Sequence, residues 1–333
     1  MAFLAFLVIG TVLIIRQQRA MPYQHDTGMV FGTVYSATYQ CDKNLKDQIE
    51  AELKKIDAEF SMFNDSSTVA RINRGENPAL SDMFVEVYQL ANSISEATEG
   101  AFDITVAPLV NAWGFGFKHE QMPTKQTIDS LRQIIGYQKL QLEKRGGKQF
   151  LKKQQPGMML DFSAIAKGFG VDAVARLLRS RDVKNYMVEI GGEVVTSGIN
   201  QQRLPWRIGV TKPTDDTLSQ GEIQTVLNVT DHAMATSGNY RNFYYRGGKK
   251  YAHTIDPKTG YPVQHSILSA TVLADRCATA DAFATSFMVM GFEGAQKVLQ
   301  KHPELMVYLI YTDEKGKNAV WYSPALKKKI IDN

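Results

Sequence analysis

The distribution of apolar positions divides this chain into strand-like and helix-like stretches. Val30 to Tyr39 alternates and is rich in Val, Thr and Tyr, which predicts a strand. Leu45, Ile49, Leu53, Ile56 and Phe60 then recur at helical spacing and predict a helix over 44–60. A second helix is expected from about Ser81, its N-cap, to Thr98, with Gly100 ending it, and a shorter one over 127–135. Residues 138–153 read as a hairpin turning at Gly146-Gly147, and 163–180 as a long helix. Strands are expected over 186–190, 193–198, 206–210, 222–229 and 271–273, then helices over 279–290 and 294–301. A closing hairpin pairs 306–311 with 319–322 around Lys315-Gly316. Strands cluster without strict βαβ alternation, so the expected class is α+β with mixed or antiparallel sheets flanked by helices.

The first fifteen residues break this pattern, being apolar or uncharged throughout, with Arg16 and Arg19 after them. Such a run is a signal-peptide core or a short membrane anchor, though shorter than the roughly 17–25 residues of a full span. No Lys or Arg precedes it, and Cys41 is too distant for lipoprotein attachment. Export with membrane tethering through residues 1–20 is the expectation, a buried N-terminal element the alternative. Residues 21–27 read as a linker and 326–333, with Lys327-Lys328-Lys329, as a basic tail. A net charge of +4, with no basic stripe interleaved with aromatics, argues against nucleic acid as a partner. The only cysteines, Cys41 and Cys277, fit no zinc spacing; they form one disulfide or remain two thiols.

Five polar islands interrupt the apolar pattern. In LDFSAIAKGFG (160–170), a strand-like run meets Asp161, Ser163 and Lys167 at the start of a helix. With Ser163 as cap, free N–H groups there attract anions, and Lys167 lies one turn on. The stretch lacks the GK[S/T] of a Walker A loop, and its G-x-G-x-x-A match falls inside the helix, where a dinucleotide fingerprint does not work. The alternative is an ordinary cap with a surface lysine. In DRCATADAFATSF (275–287), Asp281 and Thr285 share a helix face; a carboxylate and a hydroxyl suit Mg²⁺, or a first-turn acid and a core threonine. In YAHTIDPKTGYPVQH (251–265), His253 precedes a turn, and His265 is the second histidine of the stretch. In GAFDITVAPLVNAWGFG (100–116), Asp103 and Trp113 sit where a flat ligand stacks or a core packs. Gly191-Gly192 lets the backbone approach a ligand, and Ser237, Gly238 and Arg241 follow in a fifth island.

Taken in order, Phe31-Gly32-Thr33, SMFNDSSTVARIN, GAFDITVAPLVNAWGFG, LDFSAIAKGFGVD, IGGEV, ATSGNYRNF, HTIDPKTGYPV and ATADAFATSFMVMG resemble the ApbE family over residues 28–325. These are the FAD:protein FMN transferases. The resemblance implies two closely packed subdomains with the flavin site between them. It implies a Mg²⁺-dependent enzyme that cleaves FAD and joins FMN by a phosphoester to a Thr of an acceptor protein, releasing AMP. Acceptors carry a short Asp/Ser-Gly-Ala-Thr-Ser/Thr motif and include subunits of membrane NADH:quinone and ferredoxin oxidoreductases. Some members hydrolyse FAD to FMN and AMP instead; a flavin-binding protein without turnover is a third reading. Location at the periplasmic face of the inner membrane follows from the same family context.

Carried over residue by residue, the resemblance matches metal ligands to Asp281, Thr285 and the Ala164 carbonyl. It matches flavin contacts to Phe31, Phe63, Ala101, Phe102, Asp103, Asp161, Lys167 and Ile255. His253 corresponds to the candidate base, and Asp281 to a catalytic position. The chain departs from the family pattern in four ways. Phe31 and Phe63 replace a common Met and Tyr. Ala284 stands where some members have a third acid. Glu193 stands where many have Asp. The lipoprotein cysteine is absent. Phe283-Ala284-Thr285-Ser286 lacks the acceptor glycine, so the chain is not expected to be its own acceptor.

Overall fold

The computed structural model describes residues 2–116, 122–213, 222–239, 243–246, 249–264 and 266–331; Arg241 and His265 lie outside them. The apolar N-terminal run forms α1 (Ala2–Ala20), with Phe3, Phe6 and Ile9 among its exposed side chains. Among the described residues, no helix is long and apolar enough to cross a membrane.

Most of the expected linker is an edge strand. β1 (Tyr23–Val30) pairs antiparallel with β2 (Thr33–Gln40) along its whole length. Its polar sequence hides it, because only one sheet face is buried there. The buried acid Asp26 accepts hydrogen bonds from the Tyr39 hydroxyl (2.5 Å) and the Asn44 amide (2.9 Å). The strand expected over 30–39 is cut by a two-residue turn in which Phe31 and Gly32 have φ of 50° and 74°. Such hairpin turns match strand twist but favour Asn or Gly in the first place, so Phe31 is held in strain.

The helical spacings translate directly. α2 (Lys46–Phe60) buries Ile49, Leu53, Ile56 and Phe60. A short α3 (Thr68–Asn73) follows, and Ser81 caps α4 (Asp82–Ala97) by accepting from the Phe84 N–H. Then come α5 (Ala107–Ala112), α6 (Lys125–Ile134) and the expected hairpin of β3 (Leu140–Arg145) and β4 (Lys148–Lys153). After α7 (Ser163–Ser180), the chain runs through β5 (Tyr186–Ile190), β6 (Glu193–Ser197), β7 (Arg207–Thr211), β8 (Ile223–Asn228) and β9 (Ala233–Gly238). A hairpin of β10 (Phe243–Arg246) and β11 (Lys249–Ala252) leads to β12 (Ile267–Ala274). α8 (Cys277–Lys301) is broken at Gly291, whose φ of 73° separates the two helices expected there. β13 (Met306–Thr312), β14 (Asn318–Tyr322) and the short β15 (Ile330–Ile331) complete the chain.

The main sheet has the order β1-β2-β5-β6-β9-β12-β13-β14, and every pairing is antiparallel. α7 lies on β5 and β6, and α8 on β9 and β12, with α2 and α4 packed outside them around the largest core. On the other face, β15-β8-β7 forms a second layer whose Val210 and Leu227 meet Met234, Leu273 and Met306. The expected basic tail belongs to this layer. Leu326 is fully buried, and Ile330 and Ile331 pair with β8. A small separate cluster of Leu109, Trp113, Ile128, Ile135 and Ile255 gathers α5, α6 and the chain after β11.

The contact between α7 and α8 is backbone on backbone. A Cβ on Gly168 would lie 2.5 Å from the Cys277 carbonyl oxygen and 2.8 Å from the Ala278 Cα. Overpacking of this kind costs about 1–3 kcal/mol. Urea denaturation of Gly168→Ala should show a loss of that size; an unchanged midpoint would show that the helices can part freely.

Candidate functional site

A cavity of about 440 Å³ opens where the N-terminal halves of α7 and α8, the β5–β6 turn, the end of β9 and the chain after β11 converge. Every site residue carried over from the resemblance lines it except Phe31, which borders an adjoining recess of about 120 Å³ with Phe63, Asp161 and Lys167.

At the floor, Asp161 and not Ser163 caps α7. Phe162 occupies the N-cap position without a side-chain bond, while Asp161 Oδ1 accepts from the Ser163 N–H at 2.8 Å. Burial raises the Asp161 carboxyl above its ordinary range, against the pull of Ser163. One turn on, Lys167 Nζ lies 2.5 Å from Glu193 Oε1. Glu193 opens β6 directly after Gly191 and Gly192, whose φ of 62° and 106° need glycine for the tight turn. Burial, then the charge of Asp281, push Glu193 up to about 7 against the attraction of Lys167. Burial also raises Asp281, opposed by Lys167 and by the Gly168 N–H, which donates to Asp281 Oδ2 at 3.1 Å. Burial disfavours the Lys167 ammonium, but Asp281 and Glu193 outweigh it and hold its pKa above the usual value. Thr285 and Ala164 line the same cavity, whereas Ala284 packs in the main core.

The start of α8 is held from outside the helix. Its N-cap, Arg276, makes no side-chain capping bond. Instead, Asp172 of α7 accepts from the Cys277 N–H (2.8 Å) and the Ala278 N–H (3.0 Å). Sequence reading missed both Asp172 and the role of Glu193. The signals were present: Asp172 sits four residues after Gly168 on the same face, and Glu193 follows the glycine pair. Cys277 and Cys41 are both buried free thiols, so the disulfide left open by the sequence does not form.

On the opposite wall, His253 lies just beyond β11, before a turn in which the Gly260 N–H donates to the Asp256 carbonyl at 2.8 Å. Trp113 clamps this turn through an indole bond to the Gly260 carbonyl (2.8 Å), its ring packed against Tyr251 and Tyr261. The aromatic island around Trp113 is therefore core, with no open face for a stacking ligand at the indole. Asp103 has partners on both oxygens: Oδ1 accepts from the Thr105 N–H and hydroxyl, and Oδ2 from the Tyr137 N–H at 2.9 Å. Burial pushes its carboxyl up and these bonds pull it down. Phe63, at the mouth, is 84% exposed.

Among the described residues, no group of three or more His, Cys, Asp or Glu side chains could hold a metal. The donors at hand are hard oxygens: the Asp281 carboxylate, the Thr285 hydroxyl, backbone carbonyls and a buried Glu193 Oε2 with no hydrogen-bond partner among the described residues. This donor set fits Mg²⁺, which takes oxygen ligands and keeps waters.

The family model described as the ApbE family matches residues 31–309. The chain belongs to the ApbE family. It is 38% identical over 303 residues to the FAD:protein FMN transferase of Haemophilus influenzae, covering 87% of each chain. It is 34% identical over 314 residues to that of Escherichia coli, covering 91% of this chain and 88% of the other. Among solved structures, the flavin transferase ApbE of Vibrio cholerae superposes with a TM-score of 0.81 at 36% identity over 93% of this chain and 99% of that one. The apo flavinyl transferase ApbE of Pseudomonas stutzeri gives 0.82 at 28% identity over 93% and 97%. The ApbE-type α+β fold expected from the motifs is therefore the observed one.

In this ApbE-family site, Asp103 braces the cavity wall. Asp103→Asn puts a donor where an acceptor is required, which should cost about 1–3 kcal/mol in thermal or urea unfolding. An unaltered midpoint would show that its bonds carry no structural load.

Proposed function

We propose that the chain is a FAD:protein FMN transferase that links FMN through a phosphoester to a threonine of an acceptor protein. The observation that carries this reading is the convergence of Lys167, Glu193, Asp281 and Thr285 in one cavity between the N-terminal halves of two helices. An ammonium favours a pyrophosphate, and paired carboxylates favour its counter-cation.

Asp281, Thr285 and the Ala164 carbonyl would hold Mg²⁺. That ion supplies charge neutralisation of the pyrophosphate and of the departing AMP. Lys167 lies where it can pair with phosphate oxygens. Ala101, Phe102, Ile255 and the ring of Phe63 form the apolar walls for the isoalloxazine, with Phe31 beside them and Asp103 and Asp161 fixing the backbone that frames it. His253 takes the proton of the acceptor hydroxyl as its oxygen attacks the FMN-side phosphorus. The bond from that phosphorus to the AMP oxygen then breaks, and AMP leaves. The acceptor threonine lies in an Asp/Ser-Gly-Ala-Thr-Ser/Thr segment. The exposed apolar surface of α1 supports anchoring to a membrane, with the catalytic body exported to its periplasmic side.

Purified chain, FAD and Mg²⁺ incubated with a small protein bearing Ser-Gly-Ala-Thr-Ser should add one FMN phosphoryl unit to the acceptor mass. EDTA and Asp281→Ala should abolish the gain, and His253→Ala should slow it by roughly 10²–10⁴-fold. FMN and AMP released beside an unmodified acceptor would replace this reading with a pyrophosphatase; intact bound FAD would leave a binding protein.

A further inference from the structure

Two buried carboxylates face the cavity, and one ammonium answers them. Glu193 is 3% exposed and Asp281 5%. Lys167 is engaged with Glu193 Oε1, while Glu193 Oε2 is buried and has no hydrogen-bond partner among the described residues. A carboxylate serving only to hold a lysine has no need to leave its second oxygen desolvated and unpaired, because such an atom forfeits its bonds to water without replacement. With both acids ionised, the group also carries one excess negative charge away from solvent. A divalent cation answers both deficits: it gives Oε2 a partner and turns the net charge positive, matched to a pyrophosphate.

We propose that Glu193 is a further ligand of the divalent cation, its Oε2 joining Asp281 and Thr285 from a different element of the fold. The inference rests on the reading that Asp281 and Thr285 hold Mg²⁺. The placement is rigid, because the Gly191-Gly192 turn fixes the start of β6 and Lys167 orients the carboxylate through its other oxygen. Lys167 and the cation thus share one carboxylate, so the ammonium stays beside the bound ion, where an anionic substrate meets both charges.

The test uses Mn²⁺ alone, without FAD, on the full chain, with free Mn²⁺ read by electron paramagnetic resonance. Glu193→Gln should weaken binding by roughly ten- to a hundredfold. Glu193→Asp, which keeps the carboxylate, should bind more tightly than Glu193→Gln. The loss from Glu193→Gln should persist in a Lys167→Met background, which removes the possibility that the freed ammonium blocks Asp281. Binding by Glu193→Gln at the wild-type level, equal affinities of the Gln and Asp variants, or disappearance of the loss in Lys167→Met would each overturn the assignment. If Asp281→Ala abolishes binding while Glu193→Gln does not, the cation site stands and Glu193 is only the partner of Lys167. If neither variant weakens binding, the cation site itself is wrongly placed.

Discussion

The site depends on two helices meeting without side chains between them. Gly168 lets α7 press against the first residues of α8, and Asp172 then supplies the acceptors that the start of α8 lacks. The first N–H groups of any helix are orphans, and burying them without partners is costly. Here the partner comes from the neighbouring helix, so satisfying the cap also sets the register of α8 on α7. Hydrogen bonds to a charged acceptor contribute about 1.5–3 kcal/mol each. That register brings Lys167 and Ala164 on one helix to the same cavity as Asp281 and Thr285 on the other. The Gly168 N–H adds a direct link by donating to Asp281.

This arrangement places charge where solvent cannot screen it. The charge of Asp281 raises the proton affinity of Glu193, Lys167 lowers that of both acids, and burial raises both. A group of this kind is poorly satisfied by protein alone. The fold accepts that cost at one end of its sheet and is otherwise conventionally packed, with an apolar layer on each face. Concentrated electrostatic dissatisfaction in a cavity is what a site for a charged ligand and its counter-ion requires.

The elements legible in the sequence were those with one clear periodicity. α2, α4 and α7 show helical spacing, and the β3–β4 hairpin shows its glycine turn. β1 was illegible because an edge strand needs few apolar residues and because its inward acid is satisfied by Tyr39 and Asn44, distant partners that no local pattern reveals. β9 was hidden inside a stretch read for its polar chemistry, and β15 inside a run of lysines. The site residues were found as motifs, but their division of labour was not. Ser163 looked like a cap because it is a serine at a helix start, yet Asp161 two residues earlier does the work. Asp103 lines the cavity, but sequence did not show that its oxygens also brace the wall through Thr105 and Tyr137. Trp113 looked available for stacking, yet it locks the turn after His253. In each case the deciding partner lies across a loop or on another element, and one-dimensional spacing does not contain it.

The cavity is rigid below and open above, and the contrast bears on function. Its floor is locked by backbone donors, a glycine pair and a clamped turn, so the phosphate-facing groups are held before substrate arrives. Its mouth carries Phe63 at 84% exposure, and Phe31, in a strained conformation, borders the adjoining recess. An enzyme acting only between a nucleotide and water gains from closing over the reaction, because exclusion of bulk solvent strengthens every charge interaction within. A site that must admit a hydroxyl on a second protein cannot be sealed by its own chain. The acceptor has to complete the enclosure, and an exposed aromatic side chain beside a preformed floor of Lys167 and buried carboxylates suits that division: the floor takes a charged ligand with its counter-ion, and the incoming protein shuts out water.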